Sequence, residues 1–260
     1  MKFGRLNDNI GQFKGKSFYP YKEQLNEIEY ILNSNKLENP LLDSIELDNT
    51  VNWDPSLKFP SKILCIGRNY KEHAEELGNP IPEVPLVFLK PPSSLLGNNQ
   101  EVVLPKTSKM IHHEIELAVI ISKQGKNISL EKSSEYIFGY SVFLDITARD
   151  LQRSDKTWFR GKGYDTFGPF GPWIITKDEV ENAQNLDIKL EINGNIKQHG
   201  NTNDMIFSID YLISYLSQIV TLEPGDIITT GTPAGVGPIN SGDKLKATIE
   251  SVGMLSVVVQ

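Results

Sequence analysis

At 260 residues the chain is long enough for one sizeable domain, or one domain with a small appendage, with a proper buried core. A hydrophobic content of 39% and a charged content of 23% are ordinary for a globular protein, and no apolar run is long enough to span a membrane. The net charge of −7, with no basic cluster to offset it, excludes a general nucleic-acid surface, so local cations would have to gather an anionic ligand.

In chain order, the opening Met1-Lys-Phe-Gly-Arg-Leu-Asn-Asp-Asn9 lacks the apolar core of a signal peptide. The first fifty-odd residues are rich in Asn, Lys, Glu and Leu. There Leu25, Ile28, Ile31 and Leu32 recur at helical spacing, which predicts an amphipathic helix over about 21–32. Asp54-Pro55 and Phe59-Pro60 read as a linker. From residue 61 the texture is mostly strands, predicted at 62–66, 86–89, 101–104, around Glu114, at 140–145, 173–175, 188–192, 226–230, 244–249 and 255–259. Turn signals at Asn193-Gly194, Pro224-Gly225 and Ser241-Gly242-Asp243 separate the later ones. One clear helix interrupts over about 205–220, with Asp204 as its N-cap and Ile206, Ile209, Leu212, Ile213, Leu216, Ile219 and Val220 as its apolar stripe. With no repeat and no alternating βα rhythm, the expected class is α+β, mainly β. The single Cys65, beside Ile63, Leu64 and Ile66, excludes an internal disulfide; it reads as a small buried hydrophobe and points to a reducing cytoplasm.

Three groups of residues carry chemistry. In His112-His113-Glu114-Ile115-Glu116-Leu117-Ala118-Val119, a strand would place Glu114 and Glu116 on one face with Ile115 and Val119 behind. Two like charges side by side need a compensating cation. A third acid, Asp145, ends the apolar run that starts at Tyr140. Three carboxylates without Cys form a hard-oxygen set suited to Mg²⁺, Mn²⁺ or Ca²⁺, although Glu-x-Glu alone also fits the solvated face of an edge strand. His112 and His113 read as strand neighbours rather than ligands, since residues flanking Glu114 point to the opposite face. Second, Gly67-Arg-Asn-Tyr-Lys-Glu-His73-Ala-Glu-Glu76-Leu-Gly78 predicts a short helix capped by Asn69, with Glu72 completing a capping box and Gly78 at C′. His73 and Glu76 then share a face, as an imidazole acting as a base requires, or as an ordinary i,i+3 surface pair. Third, Arg149 and Gln152 share a helical face after Asp145, and Lys162 lies between two glycines. The run Thr229-Thr-Gly231-Thr232-Pro-Ala-Gly235-Val-Gly237 lacks the Gly-Lys-Ser/Thr ending of a phosphate loop.

Taken in order, Gly-Arg-Asn-Tyr-x-x-His-x-x-Glu, Phe-Leu-Lys-Pro, His-His-Glu-x-Glu-Leu, Asp-x-Thr-Ala-Arg-Asp-x-Gln, Lys-Gly-x-Asp-Thr-Phe, Asn-Gly and Thr-Gly-Thr-Pro-x-Gly-Val-Gly resemble the fumarylacetoacetate hydrolase family. The likeness is greatest to the short branch of acylpyruvases, oxaloacetate decarboxylase/tautomerases and 2-hydroxyhepta-2,4-diene-1,7-dioate isomerases. It runs from about Lys62 to the end of the chain. It implies a mixed β-roll in a homodimer, with a small variable N-terminal domain over 1–57 and the catalytic domain over 58–260. It also implies Mg²⁺ or Mn²⁺ (Ca²⁺ as a substitute) on Glu114, Glu116 and Asp145, a lid dyad of His73 and Glu76, and substrate contacts at Arg149, Gln152, Lys162 and Thr232. Lys90 stays open between substrate contact and scaffold.

The activity implied is metal-dependent hydrolysis or lysis of a C–C bond in a small 2-oxo or 2,4-dioxo acid such as an acylpyruvate. A metal-stabilised pyruvate enolate would be the intermediate, with Lys162 adding positive charge. The alternative is an isomerase, tautomerase or decarboxylase acting on oxaloacetate or a heptadienedioate-like substrate. Neither a nucleic acid nor a membrane is expected as a partner.

Overall fold

The computed structural model describes residues 1–260 except 23–25, 34–40, 48–50, 52 and 77. Leu25, one of the four residues behind the first predicted helix, lies outside the described set. The chain opens with three strands, β1 (Lys2–Leu6), β2 (Asn9–Lys14) and β3 (Ser17–Pro20), followed by helix α1 (Glu27–Asn33) and β4 (Ile45–Glu46). The strands are a feature the helical reading of this segment missed: short apolar runs such as Phe3-Gly4 and Ile10-Gly11 show no length of alternation. Leu32, expected on the apolar stripe, is exposed, while Tyr30 and Ile31 carry the packing.

Next come β5 (Ile63–Gly67), α2 (Lys71–Glu76), β6 (Leu86–Lys90), β7 (Leu95–Leu96), β8 (Glu101–Val102), β9 (Ile111–His113), β10 (Ile115–Ile121), β11 (Ile137–Leu144) and β12 (Thr147–Ala148). Short helices α3 (Arg149–Ser154) and α4 (Phe159–Lys162) lead to β13 (Gly168–Thr176), the hairpin β14 (Asp187–Ile192) and β15 (Asn195–Asn201), helix α5 (Ile209–Ile219), β16 (Ile227–Thr229), β17 (Gly237–Pro238), β18 (Lys244–Ile249) and β19 (Gly253–Val259). Asn193 and Gly194, both at positive φ, form the hairpin turn as predicted.

Eleven strands form one sheet in the order β4-β3-β2-β1-β13-β11-β10-β16-β5-β6, with β7 added alongside β13. The N-terminal strands join it directly, Phe3 pairing with Ile174 of β13. A five-stranded sheet, β15-β14-β18-β19-β8, packs over part of it, and β12-β9-β17 form a small third sheet. Every residue of β10 and β11 is buried, as continuous apolar runs covered on both faces must be. By contrast β18 alternates exposed and buried, Lys244 and Lys246 out, Leu245 and Ala247 in. The main core lies between the two larger sheets and α5; a second lies on the far side of the large sheet against α1. Among the described residues no helix is long and apolar enough to cross a membrane.

Helix α5 departs from its predicted start. Thr202–Asp204 is a 3₁₀ turn, and the helix begins at Ile209 with the Ser208 hydroxyl accepting the Tyr211 N–H. Residues 205–207 are held outside the helix by Tyr70 and Asn69 instead: Met205 bridges to Tyr70 and the Ile206 N–H donates to the Asn69 carbonyl at 2.7 Å. Asn69 consequently does not cap α2, because its side chain is spent on Phe207 and Thr230. Gly78 does end α2 as predicted, at φ 67°, with the N–H groups of Gly78 and Asn79 returning to the carbonyls of Glu75 and Ala74.

Candidate active site

Adjacent strands bring the three acids together. Glu116 lies in β10 opposite Phe143 of β11, Ile115 pairs with Leu144, and Asp145 follows at the end of β11. Glu114 occupies the break between β9 and β10, where its carbonyl accepts the Asp145 N–H at 2.8 Å. Ligand atoms of Glu114, Glu116 and Asp145 lie within 4.8 Å of one another, and all three residues are buried. The pair is therefore not a solvated face.

Three buried cations surround them. Lys162 Nζ donates to Glu114 Oε2 at 2.8 Å and to Asp145 Oδ2 at 2.5 Å. Arg149 donates one arm to Glu114 Oε1 and another to Gln152 Oε1 at 2.6 Å. Lys90 Nζ donates to Asp145 Oδ1 at 2.7 Å and to the Ile146 carbonyl at 3.1 Å. At 1% exposure and outside the lining of the cavity, Lys90 stands behind the carboxylates, on the scaffold side of the two readings.

Burial opposes the charge on Lys162, yet Asp145 and Glu114 outweigh it and hold the ammonium above its ordinary range. Burial also opposes ionisation of Glu114, but Lys162 and Arg149 overcome it and keep the carboxyl well below the usual carboxylate range. Glu116 is different. Burial, with Asp145 and Glu114 beside it, pushes it up to about 8. Its Oε2 accepts the Gly231 N–H at 2.9 Å, and no cation pairs with it among the described residues. A hard divalent ion held among these oxygens would supply the charge that Glu116 lacks, so the donor set fits the metal expected of it.

The carboxylates form the floor of a cavity of about 350 Å³ that is also lined by His73, Arg149, Gln152, Lys162 and Thr232. His73, on α2, is 4% exposed, and burial holds its imidazole below the ordinary value, that is, neutral near pH 7. Its Nδ1 is 3.5 Å from Glu76 Oε2. Glu76 does not line the cavity; its carboxylate accepts the Gly235 N–H at 3.1 and 3.2 Å, which ties the helix to the loop after β16. An Nδ1–H turned toward Glu76 leaves Nε2 with a free lone pair.

Several residues of the site carried no sequence signal. Gln198, in the unpredicted strand β15, donates to Thr232 Oγ1 and to the Pro233 carbonyl, both at 2.8 Å, and accepts the Ile115 N–H. Its Oε1 lies 2.8 Å from His113 Nδ1, which must be the donor since the amide oxygen can only accept. Neither histidine belongs to the acid cluster: His113 braces Gln198, and His112 is half-buried. Phe88, Trp158, Arg68 and Arg153 also line the cavity. Phe88 comes from β6, Arg153 from α3, and Arg68 and Trp158 from the segments after β5 and before α4, so only the fold brings them to one cavity.

Comparison with known proteins agrees with this geometry. The family model described as fumarylacetoacetate (FAA) hydrolase C-terminal matches residues 62–260. The mitochondrial oxaloacetate decarboxylase of Dictyostelium discoideum is 47% identical over 193 residues, covering 72% of this chain and 88% of the relative. The mitochondrial oxaloacetate tautomerase of Arabidopsis thaliana is 46% identical over 196 residues, 74% of this chain and 87% of the relative. Maleylpyruvate hydrolase from Sphingobium sp. SYK-6, solved with manganese(II) and pyruvate, superposes with a TM-score of 0.85 at 34% identity, covering 100% of this chain and 98% of that one. With a family model that matches residues 62–260 and relatives 46–47% identical over 72–74% of its length, the chain belongs to the fumarylacetoacetate hydrolase family.

Proposed function

We propose that the protein is a Mg²⁺- or Mn²⁺-dependent enzyme that acts at C3 of a small 2-oxo acid, either breaking the C3–C4 bond of an acylpyruvate or moving a C3 proton. The observation that carries this reading is the trio Glu114, Glu116 and Asp145 on the floor of a cavity whose walls present Lys162, Arg149 and a neutral His73. A divalent metal bound there supplies Lewis-acid charge to the 2-oxo carboxylate of the substrate.

The chain's own residues do the rest. Lys162, kept protonated by its carboxylate neighbours, places positive charge where an enolate oxygen develops. Arg149 and Gln152, linked to each other, present a fork and an amide to the substrate carboxylate. The Thr232 hydroxyl, whose oxygen already accepts from Gln198, keeps its proton for donation. His73 takes a proton at Nε2, from water in hydrolysis or from C3 in tautomerisation. Closure of α2 through the Glu76–Gly235 contact excludes bulk water.

The second reading, oxaloacetate as substrate, has its own support. Two relatives at 46–47% identity are named for that acid. In addition, three carboxylates face three buried cations, so a divalent ion leaves a net charge of +2 that a dicarboxylate dianion would balance. Pyruvate release from acetylpyruvate and from oxaloacetate, together with the enol–keto relaxation of oxaloacetate, tests both readings in Mg²⁺ and in EDTA. Metal-dependent turnover of at least one is expected. Absence of turnover on every substrate, or turnover unaffected by EDTA, would refute the proposal. The homodimer implied by the family resemblance and the cytoplasmic location read from the single Cys65 remain part of this proposal, with gel filtration and cell fractionation as their tests.

A further inference from the structure

The outer end of the cavity holds cationic groups that the carboxylate cluster does not use. Arg68 and Arg153 line it there, together with Asp155 and Trp158. Asp155 is already paired, since Arg160 donates to both its carboxylate oxygens at 2.6 and 2.5 Å. Arg149, bonded to Glu114 and Gln152, belongs to the inner group assigned above to the substrate's 2-oxo acid end. Among the described residues Arg68 and Arg153 have neither an ion pair nor a side-chain hydrogen bond. Arg153 is exposed and solvated, whereas Arg68 is half-buried.

Arg68 is held in place against its own backbone preference. Its φ of 59° lies in the left-handed region, which a side chain disfavours by roughly 1–2 kcal/mol. The chain is fixed on both sides of it. A Cβ on Gly67 would stand 3.0 Å from the Trp158 ring and 3.1 Å from Leu86. Asn69, fully buried, is bonded to Phe207 and Thr230. A guanidinium without a partner, on a backbone set in advance by its neighbours, is pre-organised for an anion.

The wall between this arginine and the inner cations is aromatic. Phe88 and Trp158 pack edge to face at 5.2 Å, and Lys162 Nζ lies 4.9 Å from the Phe88 ring centre. The cavity thus holds the carboxylates and their cations in its most buried part, the Phe88–Trp158 pair in its wall, and the less buried Arg68 next along the chain from Gly67, which lies against Trp158. That pattern fits a short chain with an acid at each end. We propose that Arg68 receives the distal carboxylate of a 2-oxo dicarboxylic acid and selects such substrates over 2-oxo monocarboxylic acids, an assignment that rests on the 2-oxo acid reading above.

Calorimetric binding to the Mn²⁺-loaded protein tests this with 2-oxobutyrate and 2-oxoglutarate, which differ only in the distal carboxylate, and with oxalate as a short control. The wild type should bind 2-oxoglutarate about 10-fold or more tighter than 2-oxobutyrate, the scale of one charge-assisted pair. Arg68→Ala and Arg68→Gly should abolish that preference while leaving oxalate and 2-oxobutyrate within about 2-fold of wild type; Arg68→Lys should restore part of it. The glycine variant relieves the left-handed backbone, so it separates strain from charge. No preference in the wild type, or equal loss of all three ligands in both truncations, overturns the assignment. Failure of the 2-oxo acid reading has a different signature: the wild type would bind none of the three ligands, oxalate included, and the assignment would fall with it.

Discussion

Asn69 grips Phe207 from both sides: its Nδ2 donates to the Phe207 carbonyl at 3.0 Å and its Oδ1 accepts the Phe207 N–H at 2.8 Å. The amide thereby imitates a paired strand residue. It keeps residues 205–207 out of the helix, which is why α5 waits for Ser208. Its Nδ2 also donates to the Thr230 carbonyl at 2.8 Å, immediately before Gly231, the donor to Glu116. The root of the α2 segment and the back of the acid cluster are therefore fastened by one side chain.

Asn69→Ala would leave the Phe207 N–H and the Thr230 carbonyl without their partner in a buried setting. An orphaned buried group costs about 1–3 kcal/mol, so the variant should lose about 2–4 kcal/mol in urea denaturation. Turnover should fall as well, since Gly231 and α2 lose a common anchor. A loss below about 0.5 kcal/mol would show that water replaces the amide without penalty.

Glu116 is the carboxylate that a metal should affect most, because burial and its acidic neighbours raise it to about 8 and, among the described residues, no cation pairs with it directly. Mn²⁺ at 100 times its dissociation constant should add about 2.7 kcal/mol of stability. This would be read as a rise in Tm that EDTA reverses. Glu116→Ala should lose both that rise and the metal-dependent turnover. A variant that keeps its Mn²⁺-induced shift in Tm would remove Glu116 from the ligand set.

The histidines set an acid limit on stability. Burial lowers His73, His112 and His113 below 6.5, with His112 down to about 4. Their folded forms are neutral, whereas the unfolded chain takes up protons once the pH drops under about 6.5. Their contribution is complete above pH 6.5 and is lost as the pH falls toward 4. Thermal scans across that window should show Tm falling from pH 6.5 downward, less steeply in His112→Gln. An unchanged slope in that variant would mean that His112 is not buried enough to matter.

What was legible in the sequence followed from local patterns. The period-two placement of Glu114 and Glu116, the apolar run ending in Asp145, and the Gly78 stop of α2 all depend on neighbours within a few residues, and the structure places them as expected. Features set by distant partners were not legible. The strands β1 to β3 exist because β13 offers an edge to Lys2 and Phe3. Asn69 looked like a helix cap because its competing partners lie 138 and 161 residues away. Gln198 carries no motif, and Arg68, although it stands in the Gly-Arg-Asn-Tyr run, has nothing local to show that it lines the cavity. Lys90, open between two roles in Phe-Leu-Lys-Pro, meets Asp145 at a depth that no local pattern gives.

The His73–Glu76 pair separates hydrolysis from decarboxylation. Activating water needs an unprotonated imidazole, which burial of His73 secures at neutral pH. Loss of CO₂ from oxaloacetate needs charge where the enolate forms, and Lys162 provides it between Glu114 and Asp145. His73→Ala should therefore cost acylpyruvate hydrolysis about 10²–10⁴-fold in kcat, the scale of a lost general base, and oxaloacetate decarboxylation much less. Lys162→Ala should damage both reactions, because both pass through an enolate. Measuring kcat for the two variants on both substrates gives four numbers whose pattern decides the roles. Equal impairment of both reactions by His73→Ala would make the imidazole a substrate-positioning or closure group, and its role as a hydrolytic base would be wrong.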